Sequence, residues 1–457
     1  MDIRLDKCCT FGMAKLKHKN YQQILPNIAI SHGLIPSVPI GDEFKYLGRI
    51  YNFRTDDAIA KDEIQSKVEN LLKITSSLNI KPQSKIKILS RFIPTQLSFY
   101  FKIYNLSFTW ISDTLDSICT KHARDWLEAP INSCIKEWLA SPIKYCGLAI
   151  PSLKSLAENL KLTKRNSLKF SKHACIREMW AETTNHNINT DALLCQMSIK
   201  SAKLHQKRLQ STTASNHFTG LKVQGAIAQV ISERIHSSHI NTWSKCVDKL
   251  PGYLFNFTRK AIQAQLATMD NLHRWSRAPS AACPLCGFTQ SNKHVLSNCS
   301  SANALSRYTN RHNKLIKLLV DWLLPKLPKD VTIYTDLHTA HTKHISDIFN
   351  NLKPDLALRK KHKVGILELT VCHETNLVAS RNYKLNKYSN ISQHRSQEIK
   401  NCSTALATWE TTTLGFTVLE PKFLADWGLP NLDNSILNNL TKSVIESSFE
   451  IFALRNV

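Results

Sequence analysis

Between Lys353 and Val371 the chain reads KPDLALRKKHKVGILELTV. Two apolar runs of strand length, DLALR and VGILELTV, flank the polar tetrad Lys360, Lys361, His362 and Lys363, and this pattern predicts a β-hairpin. Closed on that tetrad, the hairpin pairs Arg359 with Val364 and brings Asp355 opposite Glu368. Side chains opposite each other on one face have Cβ atoms about 5 Å apart. Two carboxylates that close repel each other unless a cation sits between them. A hard divalent ion such as Mg²⁺, held by carboxylates, waters and phosphate oxygens, suits the gap. Such a layout serves a nuclease metal site. The bland alternative is a chance hairpin carrying two solvated carboxylates.

The rest of the composition fits a polyanionic partner. The chain has 457 residues, 60 Lys and Arg against 35 Asp and Glu, and a formal net charge of +25. An excess of this size points first to nucleic acid and second to an anionic membrane surface. No apolar run approaches the length that spans a bilayer. The start, MDIRLDKCC, has no apolar core of a secretory signal, so secretion is not expected. Thirteen cysteines, an odd number scattered along the chain, suit a reducing compartment with a metal site better than a disulfide framework.

The length predicts several domains. Residues 1–55 alternate short strands with turns, and 56–150 are helical, with apolar residues at three- and four-residue steps. Residues 151–278 read as a helical, basic linker. Residues 279–312 hold a Cys/His cluster, and 313–457 read as an α/β layer. Within that last part the amphipathic stretch 313–327 is expected to be a linker helix. Residues 330–400 are expected to run strand, helix, strand, strand, helix. A strand at LGFTVLEPKF and a closing helix are expected in the tail. The fold class expected is thus multidomain and mainly α, with α+β parts.

The Cys/His cluster is Cys283-x2-Cys286-x7-His294-x4-Cys299. Three thiolates and one imidazole complete a tetrahedral Zn²⁺ shell and leave no position for a catalytic water, so the predicted role is structural. Other cysteines, such as Cys8, Cys9 and Cys119, show no ligand spacing and read as small apolar fillers. Just upstream of the cluster, Arg259, Lys260, Arg274 and Arg277 accompany Trp275. The cations suit phosphates. The indole either stacks on an unpaired base or anchors the core.

Two carboxylates do not make a nuclease without a cationic group to orient water or stabilise charge on the phosphate. The restriction-type motif places a lysine two residues after the second acid, but that position is Thr370. Downstream, Lys384, Lys387 and Tyr388 fall on one face of a predicted helix. If that helix covers the hairpin, a lysine reaches the site.

These stretches together resemble the C-terminal half of site-specific non-long-terminal-repeat retrotransposon polyproteins. Those proteins carry a reverse transcriptase followed by a restriction-enzyme-like endonuclease. DKCCTFGMAK with DEFKYLG resembles the end of the polymerase palm. SRFIPTQLSFYF, ARDWLEAP and GLAIPSL resemble the thumb. LATMDNLHRWSR, CPLCGFTQSNKHVLSNC and ALSRYTNRHNKLI resemble the linker with its zinc knuckle. KPDLAL, LELTV, HETN and KLNKY resemble the endonuclease signature. The resemblance implies a restriction-endonuclease-like C-terminal domain. It assigns the catalytic metal to Asp355 and Glu368, and the displaced basic and tyrosine positions to Lys384 or Lys387 and Tyr388. It also implies a DNA target, element RNA as a second partner, and a nuclear location, or a cytoplasmic one before import. The family's Tyr-x-Asp-Asp polymerase box has no counterpart. Asp56 and Asp57 lie after the KYLG stretch, in the wrong order, so polymerisation is not expected. A 5′-truncated element or a fragmentary gene is expected. The rival expectation is a non-catalytic nucleic-acid-binding remnant.

Overall fold

The computed structural model describes residues 5–16, 21–31, 33–53, 57–183, 197–337, 341–419 and 421–457. Its backbone mixes helix and sheet and divides into two compact units. The first unit comprises Met1–Leu78, Ile88–Cys119 and Ser152–Lys207, and the second comprises Asn79–Lys87, Thr120–Pro151 and Arg208–Val457.

In the first unit, three short antiparallel ribbons occupy the region between Gly12 and Tyr51. The helix Ala58–Ser77 buries Ile64, Val68 and Leu72, a stripe at four-residue steps. Asp57, just before it, accepts a hydrogen bond from Asn105 N–H at 2.7 Å and lies 3.5 Å from Arg49, so its carboxylate is structurally engaged. Asp56 lies outside the described residues. Buried Asp116 accepts hydrogen bonds from Leu153 and Lys154 N–H, 2.7 and 3.2 Å long. These are two of the donors that the start of the helix Leu153–Lys169 leaves without partners. Of the three cysteines read as apolar fillers, Cys119 is buried, whereas Cys8 is half-buried and Cys9 exposed.

The second unit is organised around a six-stranded sheet. Its strands are β1 (Thr332–Thr335), β2 (Lys343–His344), β3 (Leu356–Lys360), β4 (Lys363–Cys372), β5 (Ser403–Thr412) and β6 (Thr417–Leu419). The order across the sheet is β6-β5-β4-β3-β1-β2. The β4/β5 and β1/β2 pairs are parallel, and the other pairs are antiparallel. Three helices cover it: α1 (Ala302–Leu323), α2 (Leu377–Lys387) and α3 (Asn434–Ala453). Strand alternation sorts side chains to the two faces. Leu356, Leu358, Leu367, Leu369 and Trp409 join Leu315, Leu319 and Val444 of α1 and α3 in one apolar layer. Ala357, Val364 and Ile366 join Tyr388, Ile391 and Ile399 in the other, below α2. Gly365 is required by close approach, because a Cβ there would meet the Trp427 ring at 2.4 Å.

Three local expectations need correction. The stretch 313–327 is no linker. Its residues 313–323 belong to α1, whose stripe Leu315, Ile316, Leu319, Val320 and Leu323 is buried against the sheet, and a 3₁₀ turn, Leu324–Lys326, ends it. Between β1 and β3 the expected helix is replaced by the two-residue strand β2 and a 3₁₀ turn, Ile345–Asp347. The third is β5, STALATWETT, a strand where the sequence predicts none. Its Thr-rich text looks like a loop, yet Thr408, Thr411 and Thr412 are buried. β-Branched threonine fits an inner strand as valine does, provided its hydroxyl finds a partner.

Candidate functional site

The hairpin forms in the register read from sequence: Arg359 pairs with Val364 and Leu356 with Leu367. One step further, just before β3 begins and where β4 continues, Asp355 meets Glu368. Asp355 N–H donates to Glu368 Oε2 at 3.0 Å, and Leu369 N–H donates to Asp355 Oδ2 at 2.8 Å. A backbone amide thus holds one oxygen of each acid. From α2, Lys384 Nζ donates to Glu368 Oε1. From α1 on the opposite face, His312 Nε2 lies 3.3 Å from Asp355 Oδ2. The site thus stands at the sheet's end, supplied from both helical layers.

Electrostatics separates the two acids. Burial works to raise the Asp355 pKa, but His312, Lys384 and the Leu369 N–H together outweigh it, so that carboxyl titrates below its usual range. Glu368, 1% exposed, moves up, first through burial and then through the Asp355 charge, with Lys384 offsetting only part. Asp355 keeps its charge while Glu368 holds a proton more readily. Burial lowers the His312 pKa and its bond to Asp355 raises it, with a net rise.

Of the two lysines that the sequence left open, only Lys384 bonds a carboxylate of the site among the described contacts. Lys387 is exposed and donates to Tyr388 Oη at 3.1 Å. Tyr388, buried, donates in turn to the Lys353 carbonyl at 3.1 Å. Burial and then the charges of Glu368 and Asp355 push its pKa up. It is a neutral support for the loop that leads into Asp355. His312 is not among the site residues expected from the sequence, because it stands at the end of the Cys/His segment, just before the stretch 313–327 expected as a linker helix. A signal existed: it lies three residues before Leu315, beside the apolar stripe, where an imidazole needs a partner.

The basic residues upstream part company. Arg259 does not meet the expectation of a phosphate contact. It is 1% exposed, bonded to Asp248 at 3.2 Å, and enclosed by the rings of Trp138, Trp243 and Phe255. Position 259 falls on the inner face of its helix, between buried Phe255 and Ile262. Arg259→Ala should cost on the order of 3 kcal/mol in a denaturant titration, as expected for emptying a large core site, and should leave the salt dependence of nucleic-acid binding unchanged. Arg274 pairs with Asp270 along its own helix at 2.8 Å. Lys260, Trp275 and Arg277 instead line a groove of about 430 Å³ together with Gln265, Glu128 and Ile131. Trp275 is half-buried. Lys260 lies 3.3 Å from Glu128.

The four residues of the Cys/His cluster converge. The ligand atoms of Cys283, Cys286, His294 and Cys299 all lie within 4.8 Å of one another. Cys286 Sγ is 3.7 Å from Cys299 Sγ and 3.3 Å from His294 Nε2. A tetrahedron with Zn–S bonds near 2.3 Å has edges of ~3.8 Å, so the set can hold a metal ion such as zinc. The x4 spacing works because His294–Asn298 forms a single π turn. Gln290 Nε2 points at Cys283 Sγ from 3.6 Å and Ser301 Oγ lies 3.3 Å from Cys299 Sγ, which gives two of the sulfurs polar neighbours. The cluster is tied to its surroundings by Gln290 to Arg455 O and Asn456, by Tyr308 Oη to the carbonyls of His294 and Val295, and by Lys293 to Asn376 at 2.9 Å.

No protein-family profile matches the chain, and no curated protein matches it. No helix among the described residues is long and apolar enough to cross a membrane.

Proposed function

We propose that the sheet's end is the centre of a divalent-metal-dependent DNA endonuclease with a restriction-endonuclease-like core. The observation that carries the reading is the meeting of Asp355, Glu368 and Lys384 across two strands and a helix. Asp355 and Glu368 would hold a magnesium ion, with Asp355, the more acidic of the two, as the constant ligand. Such an ion, when bound, neutralises charge on phosphate oxygens and acidifies water. Lys384 brings a positive charge to the same spot and balances the buried carboxylates. His312 fixes the direction of Asp355, and Tyr388 holds the loop at Lys353.

The resemblance to the retrotransposon polyproteins supplies the biological frame: nicking of a chromosomal target to free a 3′ hydroxyl, in the nucleus, with element RNA as a further partner. Its polymerase step is not assigned to this chain. The groove at Lys260, Trp275 and Arg277 supports nucleic-acid binding, and it equally serves the second reading, a binding module without cleavage. Arg277→Ala should lower the slope of log affinity against log salt by about one, the signature of one lost phosphate contact.

The direct test is nicking of supercoiled DNA by the full chain. Cleavage is expected with Mg²⁺ and none with EDTA. Tight, salt-sensitive binding without any nicked product would favour the second reading. The lysines give a finer test. Lys384→Ala should slow nicking by roughly a hundredfold, as loss of one charge aimed at the reacting phosphate does. Lys387→Ala, exposed and joined to the site only through Tyr388, should cost less than about tenfold. Equal losses would show that the two lysines share the role.

A further inference from the structure

Helices α1 and α3 run antiparallel, as the contacts of Arg311 with Ser448 and of Trp322 with Asp433 show. Between them opens a cavity of about 780 Å³, whose walls include Arg307, Arg311, Lys314 and Lys317 of α1 and Ser447 and Glu450 of α3. A second hollow of about 380 Å³ shares Lys314 and Lys317 and adds Lys442. Positions 307, 311, 314 and 317 follow one another at three- and four-residue steps, so α1 presents its four cations along one side. Two acids stand on the same walls: Glu450 is paired with Lys314 at 3.3 Å, and Asp321 lies one turn beyond Lys317.

Arg311 sets this cavity apart. Two arginines are buried among the described residues, Arg259 and Arg311. Arg259 has a carboxylate, Asp248, at 3.2 Å, whereas Arg311 forms no ion pair among the described residues. Arg311 Nη1 donates to Ser448 Oγ at 3.0 Å, and its guanidinium carbon lies 5.4 Å from the centre of the Tyr308 ring. Glu374 favours the charge without bonding to it, and its oxygens accept from Thr413 Oγ1 and the Leu414 N–H. Burial presses the Arg311 pKa down to about 10, so the group stays charged at neutral pH. A buried charge without a counter-ion destabilises a fold, and this one borders a cavity. An anion there completes it. A guanidinium fork matches phosphate oxygens, and the neighbouring cations suit a ligand that carries several phosphates.

The cavity also adjoins the carboxylate site. Asn313 is on its wall, and Asn313 Oδ1 lies 3.3 Å from Nδ1 of His312, whose Nε2 is 3.3 Å from Asp355 Oδ2. Leu337 is on the wall as well. It follows β1, where Thr335 pairs with Leu356, the residue after Asp355. A strand seated in the cavity therefore runs up to the paired acids.

We propose that the cavity between α1 and α3 is a track for the phosphate backbone of duplex DNA, and that a DNA phosphate is the counter-ion of Arg311. Binding of phosphate follows from the unpaired arginine and the cations beside it, whereas DNA as its source rests on the endonuclease reading above.

The test measures the affinity of the full chain for a short DNA duplex, with Ca²⁺ in place of Mg²⁺ so that no strand is cut. Arg311→Met keeps the length of the side chain and removes its charge. It should bind about tenfold more weakly, as loss of a charge-assisted bond does, and should melt at or above the wild-type temperature, because an unpaired buried charge is gone. Added duplex should raise the melting temperature of the wild type more than that of the variant. Lys317→Ala, at an exposed position, should lower the slope of log affinity against log salt by about one. An arginine that only braces the fold gives the reverse for Arg311→Met, a lower melting temperature at wild-type affinity, and that result overturns the proposal. If Arg311→Met loses melting temperature and affinity together, Lys317→Ala decides, and an unchanged salt slope there overturns the proposal. A loss of affinity for RNA of equal length but not for duplex DNA overturns it too, in favour of an RNA track. Nicking with Mg²⁺ separates the two readings. If the wild type never nicks and Arg311→Met still binds duplex more weakly, the endonuclease falls and the track stands. If the wild type nicks and both variants bind as it does, the track falls and the endonuclease stands.

Discussion

Asp355→Ala should abolish detectable nicking of supercoiled DNA while leaving the protein folded and its Cys/His cluster intact. The size of the effect follows from what the side chain does. It is the more acidic of two carboxylates set together, with His312 at 3.3 Å and the Leu369 N–H at 2.8 Å holding one oxygen. On the proposed reading the variant loses a ligand to the divalent ion, and several kcal/mol of charge stabilisation correspond to roughly a thousandfold or more in rate. The cost to the fold should be small. The variant loses a bond to one backbone amide and one imidazole, but it also relieves Glu368 of a neighbouring like charge that helps drive its pKa upward. Asp355→Asn, which keeps the shape and the Leu369 contact, should be as inactive as the alanine variant, because the missing element is charge. The measurement is single-turnover nicking at saturating protein, with melting temperature and zinc content recorded for each variant. Cleavage that persists in Asp355→Ala would refute the site assignment, and the reading that remains is a cationic protein that binds polynucleotide.

Much of this site was legible because it is written in local patterns. A hairpin with a polar turn fixes its own register, and register alone brings Asp355 beside Glu368, which the pairing of Leu356 with Leu367 bears out. The cluster of three cysteines and a histidine was legible for a similar reason: its ligands lie within one short segment. What stayed hidden depends on partners distant in sequence. His312 becomes informative only once α1 is seen to pack on the sheet. Arg259 looked like one more cation in a basic chain, and only the assembled rings of Trp138, Trp243 and Phe255 show that it faces inward. β5 was missed because threonine is polar in text and β-branched in space. The choice between Lys384 and Lys387 turned on helix direction: α2 ends at Lys387, which leaves that residue exposed at the terminus and Lys384 over the sheet.

Removal of zinc should have the second large effect, and it should reach beyond the cluster. The purified chain is expected to carry one zinc per molecule by metal analysis. Cys286→Ser and Cys299→Ser should each abolish it, whereas Cys119→Ser, a change at a buried thiol in the other unit, should not. Apparent binding free energies of structural zinc sites are ~10 kcal/mol or more near neutral pH, far above what the short loop from Cys283 to Cys299 can supply by packing. Without the ion that loop should unfold locally. Its ties then fail in turn: Gln290 leaves Arg455 and Asn456, Tyr308 loses the carbonyls of His294 and Val295, and Lys293 releases Asn376. Asn376 immediately precedes α2, the helix that sets Lys384 on Glu368. Chelation should therefore lower the melting temperature and also slow nicking, although no zinc ligand touches Asp355 or Glu368 among the described contacts. Hydrogen exchange offers a readout independent of activity: protection should fall in residues 283–299 and at the start of α2, while β4 stays protected. Full nicking by a zinc-free protein, or unchanged exchange at 377–381, would show that the cluster stabilises only itself.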